Sequence, residues 1–460
     1  MPARRACALT LLAAASTVLA QPAGTPQPDA APILEAISAE SLKEINERLA
    51  GFGTRHSLSE TESEIRGIGA ARRWMKSHLD SFNQPRDGAP GKLRVFLEEF
   101  TAPKGVRIPQ PTPMANVVAI LPGTRTPERL YYVVGHYDSM PTNVMDSVSD
   151  APGANDDASG TAAVMELARV LAHRPLESTV VFLCTVAEEQ GLVGARFHAE
   201  QAAAKKADIR AVLNNDIVGD PWGPNGDRGQ STPTLIRVLS EGLPRNPSAE
   251  QLAQIRLVSG ESDSASRQLA RYVIDVARRE GTIVQPMLVY RQDRFMRGGD
   301  HIPFNENGYA AIRFCEVHED YRHQHQTPRL EEQPDGTTVR YGDFPDSVDF
   351  DYLANVTRLN AAVLIHLANA PSSPRNVRVV TARLDVTTTL RWERSPEADT
   401  AGYEVVWRET TSPVWQYSLD VGDATEATLS ESKDNSFFGV RAYDRDGYRS
   451  PVTFAGAARE

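Results

Sequence analysis

Five short segments of this chain carry histidine and carboxylate side chains of the kinds that bind zinc. They are GHYDS (His136, Asp138), GANDDASG (Asp156, Asp157), VAEEQGLVGA (Glu188, Glu189), LNNDIVG (Asp216) and YRHQHQ (His323, His325). Imidazole suits zinc, a carboxylate can bridge two metal ions, and no thiolate lies among these segments. Such a set, with a spare carboxylate beside one of the ligands, is what metal-assisted hydrolysis requires.

The placement of these segments predicts a single site. The strand-like runs LYYVVGHYD, STVVFLCTVAEE and RAVLNND each end in one of them, and Asp156 lies in a loop that enters a helix. In open α/β sheets, ligands bind beyond the carboxyl ends of the strands. One such segment alone would be interpreted as a helix cap or as part of a solvated surface. Four together, each with a glycine nearby, indicate a common site.

Strands and helices alternate from residue 33 to residue 370. The apolar spacing predicts one helix from Ile33 to about Gly51 or Gly53, a second in GIGAARRWMKSHLDSF, and a long closing helix in VDFDYLANVTRLNAAVLIHLANA. Between them, near-continuous apolar strands are separated by helical patterns. This alternation predicts an α/β fold with a mostly parallel or mixed sheet, covered by helices on both faces.

A change of pattern after Ala370 predicts a second domain, in a chain whose 460 residues are too many for one ordinary core. Residues 371–376 are interpreted as a linker. Residues 377–460 contain short β-type runs separated by turns, which is typical of an all-β sandwich. The segments TLRWERSPEADTAGYEVVWRE and FFGVRAYDRDGYRS resemble a fibronectin type III module. We expect this domain to serve attachment or positioning, or to be a passive spacer.

Composition and the N-terminus bear on the setting in which the protein works. Apolar residues make up 41% of the chain and charged residues 24%, as in soluble globular proteins, and the net charge of −11 argues against nucleic acid or an anionic membrane as a partner. Residues 1–20 have a basic start and a short apolar stretch, which predicts a signal peptide and a secreted or periplasmic protein. We expect a flexible lead-in at 21–32, no membrane span, and Cys184 and Cys315 as buried thiols rather than a disulfide.

Over residues 33–370, these motifs in this order resemble the co-catalytic zinc aminopeptidases of metallopeptidase family 28. That family also includes the glutamate carboxypeptidase II type and a glutaminyl cyclase branch. The resemblance implies a zinc exopeptidase fold and two zinc ions per chain. The implied ligands are His136, Asp156, Glu189, Asp216 and His323. Asp156 would bridge both ions, with His136 and Asp216 completing one site and Glu189 and His323 the other. Two neighbouring cations repel each other, so a shared carboxylate is needed between them.

The residues next to these ligands have implied supporting roles. Asp138 is placed to accept the other imidazole N–H of His136 and so to fix its tautomer. Glu188 is the expected general base, which would take a proton from the attacking water and pass it to the leaving amine. Strand alternation says only that Glu188 and Glu189 point in different directions, so the assignment between them rests on the resemblance.

Two later segments carry further candidates. The Tyr-x-His spacing of the family favours His323 as the fifth ligand, and His325 is the alternative. The stretch GDHIPF (299–304) resembles the family's Ser-Asp-His-x-x-Phe, with glycine in place of serine. Asp300 and His301 are therefore expected to support the site or to lie near the substrate. The remaining histidines of interest lack partners at ligand spacing and are interpreted as structural or surface residues: His56, His198 and His318.

The sequence thus predicts an exported zinc aminopeptidase that acts on peptides with a free N-terminus. A carboxypeptidase of the same fold is an alternative, with Arg294, Arg297 and Arg322 as candidates to bind a substrate carboxylate. A glutaminyl cyclase would hold one zinc ion, and a non-catalytic receptor or adhesin would have no need of Glu188. Side-chain preference depends on loops at 221–233 and 291–299, so the substrate-binding residues and the oligomeric state are left open.

Overall fold

The computed structural model describes residues 26–86, 88–223, 232–382 and 385–458. The predicted signal peptide, the start of the lead-in and part of the loop at 221–233 lie outside the described residues. The described end of the lead-in is packed rather than free, because Ala30 is fully buried and the backbone N–H of Gln27 donates to Glu280 at 3.0 Å. Within these ranges, no helix combines the length and the apolar character that a membrane span requires.

The first 370 residues contain the helices and the large sheet. The helices are α1 (Ala31–Glu35), α2 (Ala39–Ala50), α3 (Gly67–Ser81), α4 (Ala158–Leu171), α5 (Val193–Ala204), α6 (Ala249–Leu257), α7 (Ala265–Glu280), α8 (His301–Glu306) and α9 (Phe350–Asn369). The strands are β1 (Arg94–Ala102), β2 (Thr112–Leu121), β3 (Thr126–His136), β4 (Ser178–Thr185), β5 (Asp208–Asn215), β6 (Leu235–Ser240), β7 (Gln285–Val289), β8 (Ala311–Cys315), β9 (Arg329–Glu332) and β10 (Thr338–Tyr341).

Strands β1 to β8 form one mixed sheet in the order β1-β2-β4-β3-β5-β8-β6-β7. Its central strands β4, β3, β5 and β8 are parallel neighbours. Alternate residues of β3 enter two separate cores, Val133 in the larger and Val134 in the smaller, so both faces of the sheet are covered. The predicted α/β fold is confirmed. Because the carboxyl ends of the parallel strands meet at one edge, the segments that follow them are brought together.

Some elements differ from the sequence prediction. The helix expected from Ile33 is two helices, because Ser38 leaves the helical conformation and caps α2 by accepting from the N–H of Ser41 at 3.2 Å. Helices α6 and α8, strand β6 and the β9–β10 hairpin were not predicted from the amino-acid patterns. Helix α6 has no buried residue, so it lacks the apolar stripe by which an amphipathic helix is found.

The residues after α9 form the tail domain, which we define as residues 375–458. Its strands are β11 (Arg375–Val380), β12 (Thr388–Glu393), β13 (Thr400–Glu409), β14 (Tyr417–Asp420), β15 (Glu426–Leu429), β16 (Ser436–Asp444), β17 (Thr453–Phe454) and β18 (Gly456–Ala458). They form two four-stranded sheets, β15-β12-β11-β18 and β14-β13-β16-β17. Trp392 of the first sheet and Trp407 of the second belong to one buried cluster, so the sheets pack face to face.

Candidate metal centre

The carboxyl end of β3 brings His136 next to the start of α4. This helix lies so close to the strands that a Cβ at Gly160 would be 2.1 Å from the carbonyl oxygen of Asn215. Asp157 caps α4, since its Oδ1 accepts from the N–H of Gly160 at 2.9 Å, and its Oδ2 accepts from the N–H of His136 at 3.0 Å. Asp157 therefore fastens α4 to β3, and this places the preceding residue, Asp156, beside His136.

Asp156 lies between two imidazoles. Its Oδ1 is 3.2 Å from Nε2 of His136, and its Oδ2 is 2.9 Å from Nε2 of His325. The same nitrogen of His325 is 3.1 Å from Oε1 of Glu189. Ligand atoms of His136, Asp156 and Glu189 all lie within 4.8 Å of one another, and the three residues are buried. A carboxylate with an imidazole at each oxygen has the arrangement that is needed to bridge two neighbouring cations.

The donor atoms of this cluster fit metal ions. The buried Nε2 of His136 and Oε1 of Glu189 have close polar neighbours but form no hydrogen bond of good geometry among the described residues. Burial by itself lowers the pKa of His136, but the contacts with Asp138 and Asp156 raise this pKa well above its ordinary value. The cluster is therefore a place that favours positive charge, and imidazole nitrogen with carboxylate oxygen is a ligand set that zinc accepts.

Asp216, at the end of β5, is shared between the cluster and a buried arginine. Its Oδ1 is 3.9 Å from Nε2 of His136 and 2.8 Å from Nη2 of Arg313. Arg313 lies on β8, is fully buried, and has its Nη1 3.1 Å from Oδ2 of Asp293. Gly299 leaves room for this guanidinium, because a Cβ there would be 2.7 Å from Nη1 of Arg313. The glycine that replaces the family's serine thus accompanies an arginine beside a predicted metal ligand.

Asp138 connects His136 with the two adjacent glutamates. Its Oδ1 lies 3.5 Å from Nδ1 of His136, and its carbonyl oxygen lies 3.2 Å from the same nitrogen. Its carboxylate also accepts from the backbone N–H groups of Glu188 and Glu189, each at 3.2 Å, and from Oγ of Ser57 at 3.0 Å. Asp138 is therefore placed to orient the imidazole and the turn that carries both glutamates.

Glu188 and Glu189 have different surroundings. Both border the adjoining cavity of about 380 Å³, but Glu189 contacts His325 and belongs to the cluster, whereas Glu188 lies outside it. Burial raises the pKa of Glu188 well above its usual range, and the carboxylates of Glu189 and Asp216 add to this effect. A carboxylate with a raised pKa accepts a proton more readily near neutral pH, which is the property expected of a general base.

The structure places His325, the alternative for the fifth ligand, beside the cluster and places the favoured His323 outside it. His323 contacts two other carboxylates, with its Nδ1 3.7 Å from Asp220 and its Nε2 3.9 Å from Asp320. The alternative, His325, occupies the position between Asp156 and Glu189. The chain turns here, since the N–H of His323 donates to the carbonyl of Asp320 at 3.0 Å and His325 adopts a left-handed φ of 54°. This turn directs the second histidine to the cluster.

The other predicted residues lie in supporting positions. Asp300 accepts a hydrogen bond from Thr185 at the end of β4, and burial raises the pKa of its carboxyl group to about 7. His301 donates from Nε2 to the carbonyl of Gln292 at 2.8 Å. His56 and His198 have structural partners, and the thiols of Cys184 and Cys315 are free and buried as expected. These residues support the fold and are not part of the cluster.

Three further supporting residues were not found from the sequence. The carboxylate of Asp343 accepts from the N–H of Asp156 at 2.7 Å, and Nε2 of Gln324 donates to Oδ2 of Asp156 at 2.9 Å. Arg55 is fully buried and donates to backbone carbonyls on both sides of the site, including that of Tyr137 at 2.7 Å. Each acts on groups far away in the sequence, so no local motif marks them. Only Gln324, between the two histidines of YRHQHQ, stood in a segment already singled out.

The site and fold together define a metal-dependent hydrolase, and the comparisons with known proteins agree. The profile of peptidase family M28 matches residues 116–340, which include every residue of the cluster. A "probable zinc metalloprotease" of Leptosphaeria maculans is 44% identical over 429 residues, which cover 93% of this chain and 97% of that protein. One of Pyricularia oryzae is 42% identical over 433 residues, which cover 93% of this chain and 84% of that protein. The chain belongs to peptidase family M28 and is a zinc metalloprotease.

A solved structure confirms the fold class. LapA of Legionella pneumophila has a TM-score of 0.50 and 19% sequence identity, over 74% of this chain and 76% of that chain. At this identity the likeness is one of fold. The family membership makes the protein a hydrolase of peptides, whereas the bond that it cleaves is a separate question.

Proposed function

We propose that the protein is an exported aminopeptidase that uses two zinc ions to hydrolyse the N-terminal peptide bond of its substrates. The observation that carries this proposal is the position of Asp156, which has His136 at one carboxylate oxygen and His325 at the other. Glu189 lies beside His325, and Asp216 lies near His136, so each of the two proposed zinc sites has a histidine and a second carboxylate. A single bridging carboxylate with a histidine and an acid on each side suits a pair of ions.

The roles of the residues follow from these positions. Zinc, when bound, polarises the scissile carbonyl group and lowers the pKa of water. Glu188, at the border of the cavity, receives the proton of the attacking water and delivers it to the leaving amine. Asp138 holds the Nδ1 side of His136, which leaves Nε2 free to bind metal. Asp138 also holds the backbone of Glu188, so one carboxylate positions both a ligand and the base.

A carboxypeptidase of the same fold is the second candidate, because arginines border the cavity. Arg294 and Arg297 lie there, whereas Arg322 is paired with Asp320. Glu319 already contacts both cavity arginines, Arg294 at 2.6 Å and Arg297 at 2.9 Å. Since this carboxylate neutralises part of their charge, the arginines are less available to bind a substrate carboxylate. We therefore favour the aminopeptidase.

The decisive experiment compares substrates that differ only at their ends. Chelator-treated protein receives zinc and is assayed on a panel of aminoacyl chromogenic amides and on the same compounds with a blocked amine. Hydrolysis of the free-amine series alone, with about two zinc ions per chain by elemental analysis, supports the proposal. Hydrolysis of N-blocked peptides from the C-terminus would establish the carboxypeptidase instead. One zinc ion per chain with cyclisation of N-terminal glutamine would indicate a glutaminyl cyclase.

Export is a separate part of the proposal. If residues 1–20 direct it, protein expressed with its own N-terminus will be recovered outside the cytoplasm and will begin near Gln21. Intact Met1 on active protein would contradict it.

A further inference from the structure

A buried ionic cluster joins the tail domain to the start of α7. Asp263, just before this helix, is 2.7 Å from Nη1 of Arg271 on α7 and 2.8 Å from Nη2 of Arg408 on β13. The side chains of all three are no more than 3% exposed. A buried carboxylate between two guanidinium groups is costly to separate, because each charge would lose its partner without regaining full hydration. The contact therefore fixes the tail domain against the peptidase domain.

Further contacts extend this interface along α7. Trp415 of the tail domain is fully buried and donates from Nε1 to Gln268 at 3.2 Å. The hydroxyl of Tyr272 donates to the carbonyl of Arg449 at 2.8 Å, and Nη1 of Arg441 is 3.1 Å from Asp275. The partners on the peptidase side span about two turns of one helix. The tail domain is thus packed on the peptidase domain through specific side chains.

The same interface holds Tyr290, which directly follows β7. Its hydroxyl donates to the carbonyl oxygen of Pro413 in the tail domain at 2.7 Å and accepts from Nη2 of Arg271 at 2.9 Å. The guanidinium of Arg267 lies 3.7 Å from the centre of its ring. Tyr290 therefore has one contact with the tail domain itself and a second with the arginine that pairs with Asp263.

Tyr290 begins a stretch that ends at the candidate metal centre. We call residues 290–299 the rim segment. It contains no helix or strand, and Met296 within it is fully exposed with a φ of 55°. Arg294 and Arg297 of the rim segment border the same cavity as Glu188 and Glu189. Asp293 contacts Arg313, which in turn contacts Asp216. A segment without its own backbone ladder needs side-chain anchors to keep one conformation.

We propose that the tail domain is a positioning element for the substrate site, which holds the rim segment through Tyr290 and the Asp263–Arg271–Arg408 cluster. Tyr290 and Arg408 are then positioning residues. They touch neither the cavity nor the metal ligands, and they act by keeping the rim segment in the conformation that receives substrate. Loosening the anchor lowers the fraction of molecules competent to bind, which raises KM with little change in kcat.

Tyr290→Phe tests this with the least disturbance, because it removes only the hydroxyl group. Hydrogen exchange followed by mass spectrometry, on chelated and on zinc-loaded protein, should show about threefold to tenfold faster exchange in the rim segment, the scale of one lost hydrogen bond. For zinc-loaded protein, KM on an aminoacyl amide should rise by at most the same factor, because KM scales with the inverse of the competent fraction, while zinc content and kcat stay within about twofold of the wild-type values.

Arg408→Met is the second variant, since it removes the contact from the tail-domain side and leaves Asp263 paired with Arg271. Its matched control is Arg391→Met, because Arg391 pairs with Glu426 on the exposed surface of the tail domain. We expect Arg408→Met, and not Arg391→Met, to reproduce the faster exchange of the rim segment. Unchanged exchange and unchanged KM in Tyr290→Phe would overturn the proposal. The KM measurement rests on the proposed function, whereas the hydrogen-exchange measurement needs no turnover. An inactive wild-type protein would therefore refute the proposed function and leave the exchange test intact.

Discussion

The choice between the two histidines of YRHQHQ is the most discriminating test of the site. In the structure, Nε2 of His325 is 2.9 Å from Asp156 and 3.1 Å from Glu189, whereas the nitrogens of His323 are 3.7 Å and 3.9 Å from other carboxylates. We therefore expect His325→Ala to lose metal and His323→Ala to keep it.

The two effects should differ in size. Removing a group that only orients a ligand costs about 10- to 100-fold in metal affinity, so loss of His325 itself should exceed about 100-fold. At about 1.4 kcal/mol per tenfold, this is more than about 2.8 kcal/mol. The contacts of His323 are long ion pairs on a partly exposed side chain, worth about 0–1 kcal/mol and hence less than about fivefold.

Competition between the protein and a zinc-binding dye measures both affinities, and thermal unfolding of the zinc-free variants checks that each one is folded. Wild-type zinc affinity in His325→Ala, together with loss of zinc in His323→Ala, would refute the assignment. That result would also show that the turn after Asp320 is arranged differently when the protein binds metal.

Three further substitutions test separate parts of the site. Glu188→Gln should keep its zinc, because Glu188 is the predicted base and not one of the predicted ligands. It should lower turnover on an aminoacyl amide by about 10²–10⁴-fold, and normal turnover would reject its role as the base. Asp138→Asn should weaken zinc binding by about 10- to 100-fold in the dye competition assay, because the amide is a poorer acceptor for the imidazole N–H of His136. Unchanged zinc affinity would argue against a role of Asp138 in orienting His136. Gly299→Ala should displace the guanidinium of Arg313 and reduce the free energy of unfolding, measured in urea, by about 1–3 kcal/mol. The control is Gly105→Ala, which should change this free energy little because a Cβ there meets no atom within 4 Å. Equal effects of the two substitutions would contradict the packing argument.

Much of the fold and most of the cluster could be predicted from local patterns. Strand β3 ends at His136, strand β4 is followed after a short turn by Glu188 and Glu189, and strand β5 is followed directly by Asp216. Parallel strands bring their carboxyl ends to one edge, so the position of a residue relative to its own strand is enough to predict which residues meet. The capping role of Asp157 is also a local property, because an Asp at the start of a helix can accept from the free N–H groups of the first turn.

The supporting residues that were missed depend on partners distant in the chain. Arg313 sits in the apolar run AIRFC, where the pattern indicates only a buried strand, and its partners Asp216 and Asp293 lie on other elements. The helix expected from Ile33 was divided because the side chain of Ser38 accepts a capping hydrogen bond, which outweighed a continuous apolar spacing. The interface of the tail domain with α7 likewise joins residues that are more than 100 positions apart.

The sequence by itself determined the chemistry of this protein: which side chains are available to bind metal, the strand ends that carry them, and the α/β scaffold. These are properties of short segments, in which hydrophobic periodicity and residue type act over a few neighbours. Only the tertiary structure decided that His325 rather than His323 meets Asp156, that Arg313 shares Asp216, and where the tail domain is held. Those outcomes depend on loop torsion angles and on buried charges that need a partner, and a partner exists only once distant parts of the chain have packed together.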